Sequence, residues 1–154
     1  MKRAVAGPCP CGSGVAYRAC CRRFHEGAEP ADPSELVRSR FSAFALGQGA
    51  YLFRTLHPDH ALRARPEAEV IRELSRAKNE LRYLDLTIHD ARVDGDRGEV
   101  LFAARVFAKG RDRSFVELSR FERIGGGWRY LDGTLWPAGE LEGAELTIAA
   151  ITSR

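Results

Sequence analysis

The chain changes its hydrophobic period once, near Asn79. Before that point apolar residues recur every three or four positions, and after it they alternate. The first spacing predicts helices with one buried face, the second half-buried strands. Val37, Phe41, Phe44 and Ala45 share one helical face. Asp32 stands at the N-cap, Pro33 at the first helical position and Glu35 where a capping box needs its acid, so a helix is predicted to begin there. Gly47 and Gly49 end it. A shorter helix is predicted over Tyr51, Leu52, Phe53 and Leu56, stopping near His57 because Pro58 disfavours helical geometry in the residue before it. A third begins at Glu67 with Val70, Ile71, Leu74 and Ala77 inward. Arg72, Glu73, Arg76 and Lys78 form its solvated face.

Four strands are predicted to follow. Leu84, Leu86 and Ile88 alternate with Asp85, Thr87 and His89, then residues 93–98 turn the chain. Glu99 to Phe107 is apolar on both faces, as in a central strand, and residues 109–112 turn it again. In the next strand Phe115, Glu117, Ser119 and Phe121 share one face, with Val116, Leu118 and Arg120 on the other. The run Gly125-Gly126-Gly127 makes a hairpin, after which Trp128, Tyr130 and Asp132 alternate with Arg129 and Leu131. Four strands on hairpin-length links predict an antiparallel meander. Helices followed by strands give an α+β domain, with the sheet curled around the helices to leave an opening between them. The tail, 138–154, carries one short apolar run over Leu146–Ile151 that fits a strand or a helix.

Composition narrows the class. The 154 residues are 44% hydrophobic and 29% charged, ordinary for a globular chain, with a net charge of +3. That charge is well below what a dedicated nucleic-acid binder carries. No apolar run approaches the roughly 18 residues of a membrane span. The start of the chain is charged and lacks a long apolar core, so it does not read as a secretion signal. The expected location is the cytoplasm, where thiols stay reduced and clustered cysteines hold metal more often than disulfides.

All four cysteines lie at the front: Cys9, Cys11, Cys20 and Cys21. Four thiolates in so short a stretch can complete a tetrahedral zinc shell. Gly12 and Gly14 allow the backbone to bend so that Cys9 and Cys11 both turn inward. Ser13 is placed to cap a short helix from Tyr17 to Cys20. His25 is an alternative to one of the four ligands. Lys2, Arg3, Arg18, Arg22 and Arg23 flank the site and offset the charge of four thiolates on one Zn2+. Bridging Cys9 or Cys11 to Cys20 or Cys21 by a disulfide is the competing reading.

The run CPCGSGVAYRACC resembles the SEC-C motif, the zinc knuckle found at the C-terminus of the translocase ATPase SecA and on other bacterial proteins. That resemblance implies Cys9, Cys11, Cys20 and Cys21 as the ligands. Together with VRSRFSAFALGQGAYLFRTLHP and FVELSRFERIGGGWRYLDG, it makes residues 8–137 similar to the YchJ family. What this implies is a knuckle joined to a nuclear transport factor 2-like (cystatin-like) cone, with no reaction attached. Two features depart from the family pattern. Some relatives have a second C-terminal knuckle where this chain has no cysteine, and Leu56 stands where Trp usually precedes His-Pro. The expected division is a knuckle over 1–26, a linker over 27–33, the α+β domain over 34–137 and an extension over 138–154.

Three roles are open on these residues. The first is an adaptor whose knuckle docks on a protein partner. The second is a small-molecule binder or enzyme using the cone, with His57, Asp59, Glu117 and Asp132 as its polar groups and Arg40 and Ser119 beside them. The third, less favoured at this charge, is nucleic-acid or ribosome association. The residues carry no nucleophile elbow, phosphate loop or dinucleotide fingerprint, so no catalytic residue is assigned. The plain structural alternative for Arg40 is an ion pair with Glu117 or Asp132, and for His57-Pro58-Asp59 a helix stop.

Overall fold

A computed structural model describes residues 7–154. The capping signals around Asp32 do what the sequence asks. Asp32 accepts the Glu35 N–H at 2.8 Å, and Glu35 reaches back to the Ala31 N–H at 2.7 Å. Helix α2 then runs Pro33–Leu46 and ends on Gly47 in the left-handed region (φ 74°). It follows a short helix α1, Cys21–His25, and precedes α3, Gly49–Arg54, and α4, Glu67–Glu80. No helix is long and apolar enough to cross a membrane among the described residues.

The strands are β1 (Arg82–Asp94), β2 (Arg97–Ala108), the two-residue β3 (Arg111–Asp112), β4 (Phe115–Ile124) and β5 (Gly127–Pro137). All pairings are antiparallel, in the order β1-β2-β4-β5, with β3 folding back on the end of β2. Glycines at positive φ close the tight links, as at Gly125 and Gly126 (58° and 85°). β2 lies between β1 and β4, which explains its two apolar faces. Val100, Ala104 and Val106 pack under the helices with Leu36, Val37, Phe41 and Leu52. Leu101 faces the other way.

The tail covers that other face. A 3-10 turn over Ala138–Leu141 and helix α5, Ile148–Thr152, bring Leu141, Ile148 and Ile151 against Leu101, Val116 and Leu118. Asp90 on β1 accepts the Ile148 N–H at 2.8 Å and fixes the tail to the sheet. The short run over Leu146–Ile151 is therefore a helix at its end and closes a second core.

Strict alternation fails at three places. The β1–β2 register slips between Tyr83 and Asp85 and again between Ile88 and Asp90, and the β4–β5 register slips after Arg120. Each slip inserts one unpaired residue, a bulge that turns the following side chains to the opposite face. Leu84, expected inward, is 44% exposed, and Tyr83 points under the helices instead. On β5 the extra residue is Leu131. Tyr130 stays inward while Asp132 turns outward to pair with Arg120 at 2.5 Å.

Two measurements check this account of the core. Ile148→Ala removes a fully buried side chain from the tail–sheet seam and is expected to lower unfolding stability by about 2–5 kcal/mol. Asp32→Ala loses the α2 cap and is expected to cost about 1 kcal/mol. Both are read from urea unfolding followed by circular dichroism. An Ile148→Ala protein as stable as wild type would mean that the tail does not seal the sheet.

Candidate metal centre and cone cavity

The knuckle begins with a tight backbone turn. The Cys9 N–H bonds to Val15 O at 2.8 Å and the Gly12 N–H to Cys9 O at 3.1 Å. Gly12 and Gly14 take φ of 83° and 81°, which a side chain would oppose. Helix α1 then brings Cys20 and Cys21 to the same point. The four Sγ atoms all lie within 4.8 Å of one another, and Cys9, Cys11 and Cys21 are buried. Cys11 and Cys20 sulfurs are 3.6 Å apart and those of Cys20 and Cys21 4.0 Å. A tetrahedron of thiolates at ~2.3 Å from one ion has edges of about 3.8 Å, so the donor set fits one metal ion.

Four sulfurs this close cannot all ionise without a cation among them. Hydrogen bonds from Cys21 and Cys9 hold Cys11 below the ordinary thiol range. The same contacts, with burial, push Cys21 up, and burial raises Cys20. Ser13 serves the cluster rather than a helix cap. Its Oγ lies 3.2 Å from Cys20 Sγ, and the 3-10 turn Tyr17–Ala19 has no side-chain cap. His25 is engaged elsewhere. Its Nε2 donates to Ser39 O at 2.8 Å, so its Nδ1 accepts the Tyr17 hydroxyl at 2.7 Å. Burial lowers the His25 pKa and keeps the ring neutral in that role.

The knuckle is seated on α2. Ser42 Oγ lies 3.3 Å from Cys9 Sγ, and Arg38 Nη1 donates to Cys11 O at 3.1 Å. Phe24 leaves the knuckle and enters the main core, where burying a phenylalanine is worth ~1.5–3 kcal/mol. The segment after α1 is also held. Glu29 takes both terminal nitrogens of Arg129, at 2.9 and 3.1 Å, and this pairing lowers its pKa.

On the other side of α2 a cavity of about 350 Å³ opens between helix and sheet. Phe41, Phe44, Tyr83, Phe102, Phe115 and Phe121 line it, with Val37, Leu81, Ala104 and Val106 between them. Its polar groups are Arg40, Arg113, Glu117, Ser119 and Tyr130. Glu117 is buried and accepts hydrogen bonds on one oxygen from Ser119 Oγ (2.5 Å) and Tyr130 OH (2.8 Å). Burial, with the Glu117 charge beside it, keeps the Tyr130 phenol un-ionised.

A family model described as YchJ, middle NTF2-like domain, matches residues 32–133, and a SEC-C motif model matches residues 8–23. The chain belongs to the YchJ family. A UPF0225 protein from Deinococcus radiodurans is 42% identical over 81% of this chain and 87% of its own length. Another UPF0225 protein, from Bordetella parapertussis, is 38% identical over 88% of this chain and 99% of its own. The solution structure of a SEC-C motif containing protein from Rhodopseudomonas palustris superposes with a TM-score of 0.71 at 31% identity. It covers 82% of this chain and 96% of that one. A SEC-C motif containing protein from Psychrobacter arcticus shares the fold, with a TM-score of 0.69 at 22% identity over 80% of each chain.

Within this YchJ-family fold the polar residues picked from the sequence separate. Glu117, Ser119 and Arg40 line the cavity, and His57, Asp59 and Asp132 do not. His57 is a buried tie between helix and sheet. Its backbone N–H bonds to Tyr130 O, its Nδ1 accepts the Asp59 N–H, and its Nε2 donates to Glu122 at 2.7 Å. The Asp59 carboxylate is exposed. Arg40 makes no ion pair with Glu117 or Asp132. Its Nη1 donates to Leu52 O (2.8 Å) and Thr55 Oγ1 (2.6 Å), and its guanidinium stacks over the Tyr130 ring. Lys2 and Arg3 lie outside the described residues. Arg22 pairs with Glu26, and Arg23 donates to Cys20 O. Two further residues matter and were missed. Tyr83 was hidden by the bulge beside it. Gly133 leaves room for Glu117, because a Cβ there would sit 2.3 Å from its carboxylate.

Two outcomes follow for this site. Purified under reducing conditions, the protein should carry one metal equivalent by elemental analysis. Cys11→Ser should lose it and unfold at lower denaturant. Gly133→Ala should displace Glu117 and cost about 1–3 kcal/mol of stability. A Gly133→Ala protein with unchanged stability would contradict the close approach.

Proposed function

We propose that the ion is Zn2+ and that its role is architectural. All four ligands come from the chain and complete a tetrahedral shell, and soft thiolates in a reducing compartment favour zinc. A shell with no open position has no place to activate water or substrate. The bound ion would supply folding energy and a fixed shape to the knuckle.

The role supported best is that of an interaction module in which this knuckle docks on a protein partner. The observation that carries it is the rigid seating of the metal turn on α2 with its tip turned outward. Gly12 through Ala16 are exposed, Val15 is 46% exposed, and Arg18 stands beside them. An exposed branched apolar side chain with a neighbouring cation suits a partner segment that is apolar and acidic. With Arg22 and Arg23 engaged locally, the basic surface is smaller than the sequence count suggests.

A second reading rests on a different observation, the 350 Å³ cavity with a buried carboxylate in its wall. Such pockets are a common form of small-molecule site.

The tip reading is tested by capture of proteins from a lysate of the source cell with wild type, Val15→Asp and Arg18→Glu. These substitutions are on the surface and leave the fold intact. A partner retained by wild type and lost by both variants supports docking at the tip. Equal recovery by all three would remove the knuckle tip from the function. A retained species that is RNA and that dissociates steeply with salt would replace the protein partner with a nucleic acid.

A further inference from the structure

We propose that the cone cavity takes a small aromatic acid bearing a hydroxyl group, its carboxylate drawn in by the positive charges of Arg40 and Arg113 and its hydroxyl donating to Glu117. This rests on the reading of the cone as a small-molecule site and adds the ligand's chemical class.

The charge balance of the cavity points to an anion. Two cations line it, Arg40 from α2 and Arg113 at the exposed rim, against one carboxylate, Glu117. Among the described residues no carboxylate lies within 4.0 Å of Arg40 or Arg113. Arg40 spends only Nη1 on the protein, bonding Leu52 O and Thr55 Oγ1. Its Nε and Nη2 have no partner among the described residues. A guanidinium in apolar surroundings is stabilised by an anion that can take two parallel N–H bonds.

Glu117 supplies the second handle. The residue is only 8% exposed, and its Oε2 already accepts the Ser119 and Tyr130 hydroxyls. Its Oε1 accepts no hydrogen bond among the described residues. That oxygen keeps its acceptor capacity free, and a ligand hydroxyl in the cavity can donate to it. The remaining walls are apolar, aromatic residues together with Val37, Leu81, Ala104 and Val106. Phe102 and Phe115 meet edge to face at 6.2 Å, and Phe121 and Tyr130 lie 5.7 Å apart. Such walls favour a flat ring by stacking and edge contacts. A volume of about 350 Å³ is near the lower end of the roughly 300–1,000 Å³ of ligand pockets, which suits one or two rings.

Three naphthalenes separate the contributions when titrated into the full metal-loaded chain by calorimetry. They are 6-hydroxy-2-naphthoate, 2-naphthoate without the hydroxyl, and 2-naphthol without the carboxylate. The hydroxy acid should bind tightest, and each deletion should weaken binding about tenfold, the size of one lost charge-assisted bond. Glu117→Gln should weaken the two hydroxylated compounds and spare 2-naphthoate. Arg113→Ala, at the rim and outside the core, should weaken the two acids and spare 2-naphthol, and it keeps the test open should Glu117→Gln fail to fold. If 2-naphthol binds as tightly as the hydroxy acid, the proposed class is wrong while the cavity remains a ligand site. If none of the three binds wild type, both the class and the cavity reading fall.

Discussion

Helix α2 is the wall that the knuckle and the cavity share. Arg38, Ser39 and Ser42 hold the cysteine turn and His25 on one side, while Val37, Arg40, Phe41 and Phe44 line the cone on another. The two sets interleave at a spacing of three to four residues, which is how one helix presents two faces. The strong start at Asp32 and the left-handed stop at Gly47 fix the length over which both faces are displayed. Anything that orders the knuckle therefore also holds the helix that carries Arg40.

The seam is polar as well as apolar, and its polar groups are matched. Tyr17 donates to His25, His25 to Ser39 O, and Tyr51 to Ser39 Oγ, which itself donates to Leu36 O. Burial raises the Tyr17 and Tyr51 pKa values to about 12, so both hydroxyls remain donors across the neutral range. Arg54 adds a bond to Phe24 O and stacks on the Tyr51 ring. A chain of this kind fixes orientation, because sliding the knuckle would leave several buried groups unpaired at once.

The features legible in the sequence are those whose cause is local. The Asp32–Glu35 cap, the glycine turns and the cysteine spacing each depend on residues a few positions apart, and the structure repeats them closely. Leu84, His89 and Leu131 were not legible as bulges. A bulge is decided by how two strands pair, and nothing in the alternation of side chains records it. That is why Asp132 reads as a neighbour of Tyr130 inside the cone and stands outside it. His57 was misleading for a related reason. Its partner, Glu122, is brought close by the sheet and not by the sequence. The tail was weakly informative because its apolar residues pair only with the outer face of β2 and β4.

The front of the chain has too few apolar residues to fold alone. A unit this short cannot bury enough surface to offset its conformational entropy, and such units draw on metals or on neighbours. This one has a neighbour to lean on and a cysteine cluster that fits a metal. Four sulfurs close around one point, and Phe24 is inserted into the core of the larger domain. The segment that follows is pinned by Glu29 to Arg54 and Arg129, so it does not act as a swinging linker. The consequence is that the knuckle tip and the adjoining surface of the domain present one continuous face. The relative placement of Val15, Arg18 and their surroundings is held by the cysteine turn, Phe24 and α2 together.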